Sequence, residues 1–120
     1  MATSFTYCEL HTSNLAAAKT FYGKLLDWKL EDMRAGDVPY TQIQTGEGLP
    51  GGMMADGPMA ASYWLTYIQV PSLDASIRRA QELGGNVLMG RTEIPEMGWF
   101  ALLADPTGAR FGLYEPMKKK

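Results

Sequence analysis

The chain is poor in the residues that staple, anchor or export a protein. Cys8 is the single cysteine in 120 residues, so no intramolecular disulfide can form and the fold does not depend on oxidation. The N-terminal MATSFTYCEL lacks a charged region followed by an apolar core, and no apolar run is long enough to span a bilayer. Both absences point to the cytoplasm and away from a membrane. Neither sign of charge dominates: 11 Lys and Arg stand against 13 Asp and Glu, scattered along the chain, which argues against a nucleic-acid partner. The one basic cluster, Lys118-Lys119-Lys120, follows the last strand and reads as a solvated tail. His11 is the only histidine. What is present is ordinary globular material. The hydrophobic fraction of 46% excludes disorder, and the length suits one compact domain with its own core.

Phe5 to Thr12 alternates as a strand, with Cys8 and Leu10 on one face and Tyr7, Glu9 and His11 on the other. Ser13-Asn14 caps a helix in which Leu15, Ala18, Tyr22 and Leu25 recur at helical spacing, beside Phe21 and Leu26. Trp28 to Met33 reads as a strand, Arg34-Ala35-Gly36-Asp37 as a turn and Tyr40 to Gln44 as a returning strand. A glycine-rich loop then leads to a short strand, Met53 to Ala55, and to a linker, Asp56 to Ala61.

Tyr63 to Val70 is a strand with Trp64, Thr66, Ile68 and Val70 on one side and Tyr63, Leu65, Tyr67 and Gln69 on the other. Pro71-Ser72 opens a second helix with the stripe Leu73, Ile77, Ala80 and Leu83, and Gly84-Gly85 ends it. A short strand, Asn86 to Met89, precedes a hairpin, Trp99 to Glu115, that turns on Asp105-Pro106-Thr107-Gly108. In its second arm Arg110, Gly112 and Tyr114 face one way and Phe111 and Leu113 the other.

The two halves share an outline. Leu15 matches Leu73 and Leu25 matches Leu83 at one constant offset, which marks a duplicated βαβββ unit. The expected fold class is α+β: two paired βαβββ modules (residues 5–56 and 62–115) in a single domain, 1–120, forming a cup-shaped mixed sheet with helices outside.

The stretches ELHTSNLAAAKTFYGKLLDW, WLTYIQVPSLDASIRRAQELGG and WFALLADPTGARFGLYEP resemble the vicinal oxygen chelate superfamily, which includes glyoxalase I, bleomycin-resistance proteins and extradiol dioxygenases. The resemblance implies paired modules, a cup and a homodimer. In the superfamily's metalloenzymes, His or Glu from the first and last strand of each module hold the ion. Those positions fall here on Tyr7, Leu65, Gly112 and the neighbourhood of Met53 or Met54. None of these side chains is a good ligand for a hard or borderline divalent ion. The expectation is therefore no cofactor and no metal site of the usual kind. A divalent ion held by Glu9, His11 and a dimer mate stays open.

Glu9 and His11 lie two apart on one strand face, where they suit a general base with an orienting carboxylate. The plainer alternative is a strand-end histidine near the surface, bonded to backbone or water. Arg110 suits a carboxylate or phosphate bidentately, or an ion pair with Glu9. With Arg110, the residues Tyr7, Tyr63, Leu65, Tyr67, Gln69, Gly112 and Tyr114 are the candidate lining for a small organic ligand. Met53 and Met54 read as packing, Cys8 as a buried inert thiol, and Glu93 and Glu96 as solvated loop residues. The expected function is a glyoxalase-like or bleomycin-resistance-like protein that binds a small organic molecule without the family metal. The alternative is a lyase, isomerase or dioxygenase-type enzyme that uses Glu9 and His11.

Overall fold

A computed structural model describes residues 3–35, 38–55 and 62–117. Gly36-Asp37 of the expected turn, the expected linker Asp56 to Ala61 and the Lys118-Lys119-Lys120 tail lie outside the described residues. The elements run β1 (Phe5–Thr12), α1 (Leu15–Leu26), β2 (Lys29–Ala35), β3 (Val38–Gln44), β4 (Gly51–Ala55), β5 (Tyr63–Gln69), α2 (Leu73–Glu82), β6 (Asn86–Ile94), β7 (Gly98–Ala104) and β8 (Arg110–Pro116). This is the βαβββ order twice, an α+β fold with parallel and antiparallel pairings, as the sequence implied. The chain forms two compact units, Tyr7–Leu65 and the remainder.

In the first unit the strand order is β2-β3-β4-β1. The pair β1–β4 is parallel, while β2–β3 and β3–β4 are antiparallel. Leu10, Ile43 and Met53 are buried on the back of these strands and meet Leu15, Ala18 and Tyr22 of α1, with Trp28 and Leu30 at the margin. Asn14 starts the helix, its Oδ1 accepting from the Ala17 N–H at 3.0 Å. Asp27 ends it in the left-handed conformation, φ 56°.

Two expectations change here. Leu25 does not join the inward stripe and is 62% exposed, because this small core meets α1 only as far as Tyr22. The strand expected at Met53 begins two residues earlier, at Gly51. Glycine is tolerated there because a Cβ on Gly51 would stand 2.7 Å from the Cys8 carbonyl oxygen.

In the second unit, which takes β5 from Thr66 onward, the order is β5-β8-β7-β6, with β5–β8 parallel. Val70, Leu73, Ala101, Leu103 and Leu113 form its core, flanked by Ile77 and Ala80 of α2. The Ser72 hydroxyl caps α2 by accepting from Ala75 N–H at 3.2 Å, and the Glu115 carboxylate accepts from Leu73 N–H at 2.8 Å. Leu83 is the C-cap and is 60% exposed, outside the stripe that the spacing suggested. The strand expected to end at Met89 runs on to Ile94. Its register shifts twice, between Val87 and Met89 and between Met89 and Thr92. Those irregularities break the alternation by which a strand is read from sequence.

The closing hairpin is as expected. Asp105 Oδ1 accepts from Thr107 N–H at 2.8 Å, Thr107 Oγ1–H at 2.6 Å and Ala109 N–H at 3.0 Å. These donors, the Thr107 hydroxyl first, hold the Asp105 carboxyl below the usual carboxylate range. Gly108 takes φ 96°, which a side chain would resist.

Candidate functional site

The front of the first unit's strands carries the polar chemistry. Glu9 lies opposite Gly52 and His11 opposite Met54 in the parallel pair, while Gln42 faces Gly52 and Tyr40 faces Met54 in the antiparallel one. Since side chains alternate along a strand, Tyr7, Glu9, His11, Tyr40 and Gly52 share the face opposite the core.

Glu9 and His11 are each only 7% exposed. The Glu9 carboxylate is held from two sides. Tyr40 donates to Oε2 at 2.6 Å, and His11 Nε2 lies 2.7 Å from Oε1. An ionised carboxylate only accepts, so the imidazole nitrogen facing it carries the hydrogen. Tyr40's proton is committed to Glu9, so the 2.6 Å contact between the Tyr7 and Tyr40 hydroxyls is donated by Tyr7. The hydrogens therefore all point toward Glu9. The His11 ring stacks on Tyr63, with centroids 4.9 Å apart and planes 3° from parallel.

This setting resists phenolate formation. Burial pushes the Tyr7 phenol up to about 12, and the Glu9 charge pushes the same way against the Tyr40 hydrogen bond. Burial, then the Glu9 charge, holds Tyr40 higher still. Gly52 makes room for both phenols. A Cβ there would overlap the Tyr40 ring tip and the Tyr7 hydroxyl.

The structure thus brings together Tyr7, Glu9, His11 and Tyr63. His11 is buried and bound to Glu9, which overturns the plainer alternative of a surface histidine. Sequence reasoning missed Tyr40 and Gly52. The available signal was the alternation of Tyr40, Gln42 and Gln44 against Thr41 and Ile43, which places Tyr40 on a polar strand face. Cys8 is half-buried rather than fully enclosed. Met53 is wholly buried in the core, whereas Met54 sits in the register row of His11 and Tyr40. Leu65 is 2% exposed.

The remaining candidates lie in the second unit. Tyr67 pairs with Gly112 and Gln69 with Tyr114. Tyr67 is buried, meets Phe100 edge-on at 6.2 Å and lies against Gly112, where a Cβ would overlap its ring. Gln69 and Arg110 are exposed, Arg110 at the start of β8 opposite Ala104. The Tyr114 hydroxyl donates to the Met97 carbonyl at 2.8 Å, so this phenol is tied to the β6–β7 turn. Glu93 belongs to β6 rather than to a loop, and Glu96 occupies that turn with φ 69°.

The superfamily's metal does not fit the positions that the resemblance assigns to its ligands. Tyr7 offers a neutral phenol engaged with Tyr40. Leu65 is apolar, Met53 belongs to the core, and Gly112 is covered by the Tyr67 ring. Among the described residues, no group of three or more His, Cys, Asp or Glu could hold a metal ion. No described helix is long and apolar enough to cross a membrane.

Comparisons with known proteins agree with this fold. A model of the glyoxalase-like domain matches residues 7–114. CFP32 of Mycobacterium bovis, which carries a provisional glyoxylase name, is 32% identical over 116 residues, covering 91% of this chain and 44% of that protein. The anthracycline biosynthesis protein DauV of a Streptomyces species is 28% identical over 122 residues, with 88% and 44% covered. The chain thus spans somewhat under half the length of these curated relatives.

Among solved structures, methylmalonyl-CoA epimerase of Mycobacterium tuberculosis superposes with a TM-score of 0.70 at 17% identity, over 98% of this chain and 93% of that one. A Streptomyces coelicolor methylmalonyl-CoA epimerase variant in complex with 2-nitronate-propionyl-CoA superposes with a TM-score of 0.69 at 12% identity, over 98% and 100%. At these identities the likeness shows the fold.

Proposed function

The chain belongs to the glyoxalase-like domain family, and from that premise we propose that it binds a small organic molecule at the Tyr7–Glu9–His11–Tyr40 face without the superfamily's usual metal. The observation that carries this reading is the Glu9 carboxylate, 7% exposed and held by His11 at 2.7 Å and Tyr40 at 2.6 Å. Such an array presents aromatic surface and fixed dipoles together, the combination that orients a planar or carbonyl-bearing ligand. The acyl-CoA ligand of the structural neighbour supports a small-molecule role for this scaffold. The reading includes a homodimer, a cytoplasmic setting and no nucleic-acid partner.

The test is thermal shift followed by calorimetry, with a panel of aromatic and carboxylate molecules. At least one should stabilise the wild type, and His11→Ala should weaken its binding while the fold is retained. A wild type that responds to no member of the panel refutes the proposal.

A second reading is catalytic. The 2.7 Å contact to Glu9 supports reading His11 as a general base with an orienting carboxylate, for lyase, isomerase or dioxygenase-type chemistry. On that reading His11→Ala abolishes turnover in a folded protein. Full activity in that variant removes the catalytic role.

A further inference from the structure

Following the hydrogens of the Glu9 network shows what it still holds out to a ligand. Each phenol has one hydroxyl hydrogen. Tyr40 directs its hydrogen to Glu9 Oε2, and Tyr7 directs its own to the Tyr40 oxygen. The imidazole gives its Nε2 hydrogen to Glu9 Oε1. An ionised carboxylate has none to give. Toward anything further, these side chains can only accept.

His11 makes the shortage specific. A neutral imidazole with its hydrogen on Nε2 carries a lone pair on Nδ1. That nitrogen meets no donor among the described residues: His11 touches Glu9 through Nε2 and Tyr63 through its ring face. Yet the His11 side chain is only 8% exposed. A buried acceptor without a donor is unfavourable, and buried polar atoms in folded proteins are nearly all paired. The ring cannot turn over to relieve this. Turning would break the 2.7 Å bond to Glu9, and the Tyr63 ring lies 3° from parallel against it.

We propose that His11 Nδ1 is the docking point for the hydroxyl of a neutral planar ligand, an arene or enol O–H that donates to the lone pair the protein leaves unused. The inference rests on the small-molecule reading of this face and names the chemical class it takes. Other classes fit less well. A carboxylate or phosphate brings more acceptors to side chains with no hydrogen to give, and sets its charge against that of Glu9. An ether or ketone leaves Nδ1 as it is. An ammonium must shed its water at a buried site where both Glu9 oxygens are already engaged. A planar O–H supplies the missing hydrogen and brings a ring to an aromatic surface.

Calorimetry on the full chain with 2-naphthol, 2-methoxynaphthalene and 2-naphthoate tests this. The naphthol should bind about tenfold tighter than its methyl ether, the worth of one hydrogen bond to a buried acceptor, and the naphthoate should bind more weakly than either. His11→Gln keeps an N–H at the ε position for Glu9 but removes Nδ1, so in that variant naphthol and ether should bind alike. Because His11 is the only histidine, labelling histidine with nitrogen-15 yields a single pair of ring nitrogens. Nε2 should carry the hydrogen in the unliganded protein, and the Nδ1 resonance should move with the naphthol and not with the ether. Equal affinity for naphthol and ether in the wild type, tighter binding of the naphthoate, a preference that survives in folded His11→Gln, or a hydrogen resident on Nδ1 each overturn the assignment and leave the small-molecule reading standing. A wild type that binds none of these probes and no member of the wider panel overturns both. Should His11→Gln fail to fold, the wild-type affinities and the nitrogen resonances decide.

Discussion

Removing one oxygen from Tyr40 tests the buried network directly. Tyr40→Phe deletes the 2.6 Å bond to the Glu9 carboxylate and the 2.6 Å contact with the Tyr7 hydroxyl, while the ring stays in place. The first bond is to a charged group and contributes about 1.5–3 kcal/mol; the second is neutral and contributes about 0.5–1.5 kcal/mol. Glu9 keeps His11 as a donor, so its carboxylate is not stranded, and the loss should fall at about 2–3 kcal/mol rather than at the full sum. Tyr22→Phe is the control. Its hydroxyl accepts only a 3.3 Å bond from Trp64 at an exposed position, and its loss should be below about 1 kcal/mol. Urea unfolding at neutral pH reads both variants, with an unchanged dependence on urea showing that the denatured state is the same. Pairing Tyr40→Phe with Glu9→Gln in a double-mutant cycle should return a coupling of about 1–2 kcal/mol. A Tyr40→Phe loss under about 0.5 kcal/mol, or no larger than the Tyr22 control, would refute the reasoning.

Other consequences are equally measurable. Burial raises Tyr7 from 10.0 to about 12, so the neutral phenol's preference for the folded state is whole below pH 10 and is lost as pH rises through about 12; Tyr7→Phe should flatten the alkaline fall in urea midpoint, and an unchanged slope removes Tyr7 as its source. Gly52→Ala should cost about 1–3 kcal/mol through overpacking against the two phenols, whereas Gly90→Ala, with open space around it, should stay within about 0.5 kcal/mol of wild type. Glu115→Ala strips the acceptor from Leu73 N–H and an Arg91 contact at 3.8 Å, at about 1–2 kcal/mol by thermal unfolding. Protein purified without chelator or histidine tag and dialysed against zinc, nickel, manganese and iron should hold no stoichiometric metal by elemental analysis; a stoichiometric metal lost in His11→Ala or Glu9→Ala would refute the fit argument.

The fold was legible because its signals are local. The Asp105-Pro106-Thr107-Gly108 turn, the Asn14 and Ser72 caps and the constant Leu15–Leu73 and Leu25–Leu83 offset each act within a few residues or repeat in sequence. Half of the site was legible for the same reason: Glu9 and His11 are two apart on one strand. Tyr40 was not, because its link to Glu9 depends on which strands become neighbours and in what register. By sequence Gly52 falls in the glycine-rich loop, because nothing in a glycine's own neighbourhood announces that two phenols will approach it. Leu25 and Leu83 fit helical spacing, but spacing shows only which side a residue lies on, not where the covering sheet ends.

The parallel seam between β1 and β4 joins residues about forty positions apart, Glu9 beside Gly52, whereas β2–β3 and β3–β4 close short connections. Chain closure over a longer loop costs more entropy, and non-local pairing is the slow part of folding. The meander β2–β3–β4 can therefore form first, leaving β1 to dock last. Tyr7, Glu9 and His11 travel on β1, while Tyr40 and Gly52 wait on the meander. The site is then the final thing the first unit assembles and the first it loses when that seam opens, so its integrity reports completion of folding. Amide exchange of the β1 groups bonded to β4 should follow the opening of this seam even while the hairpins beside it remain closed.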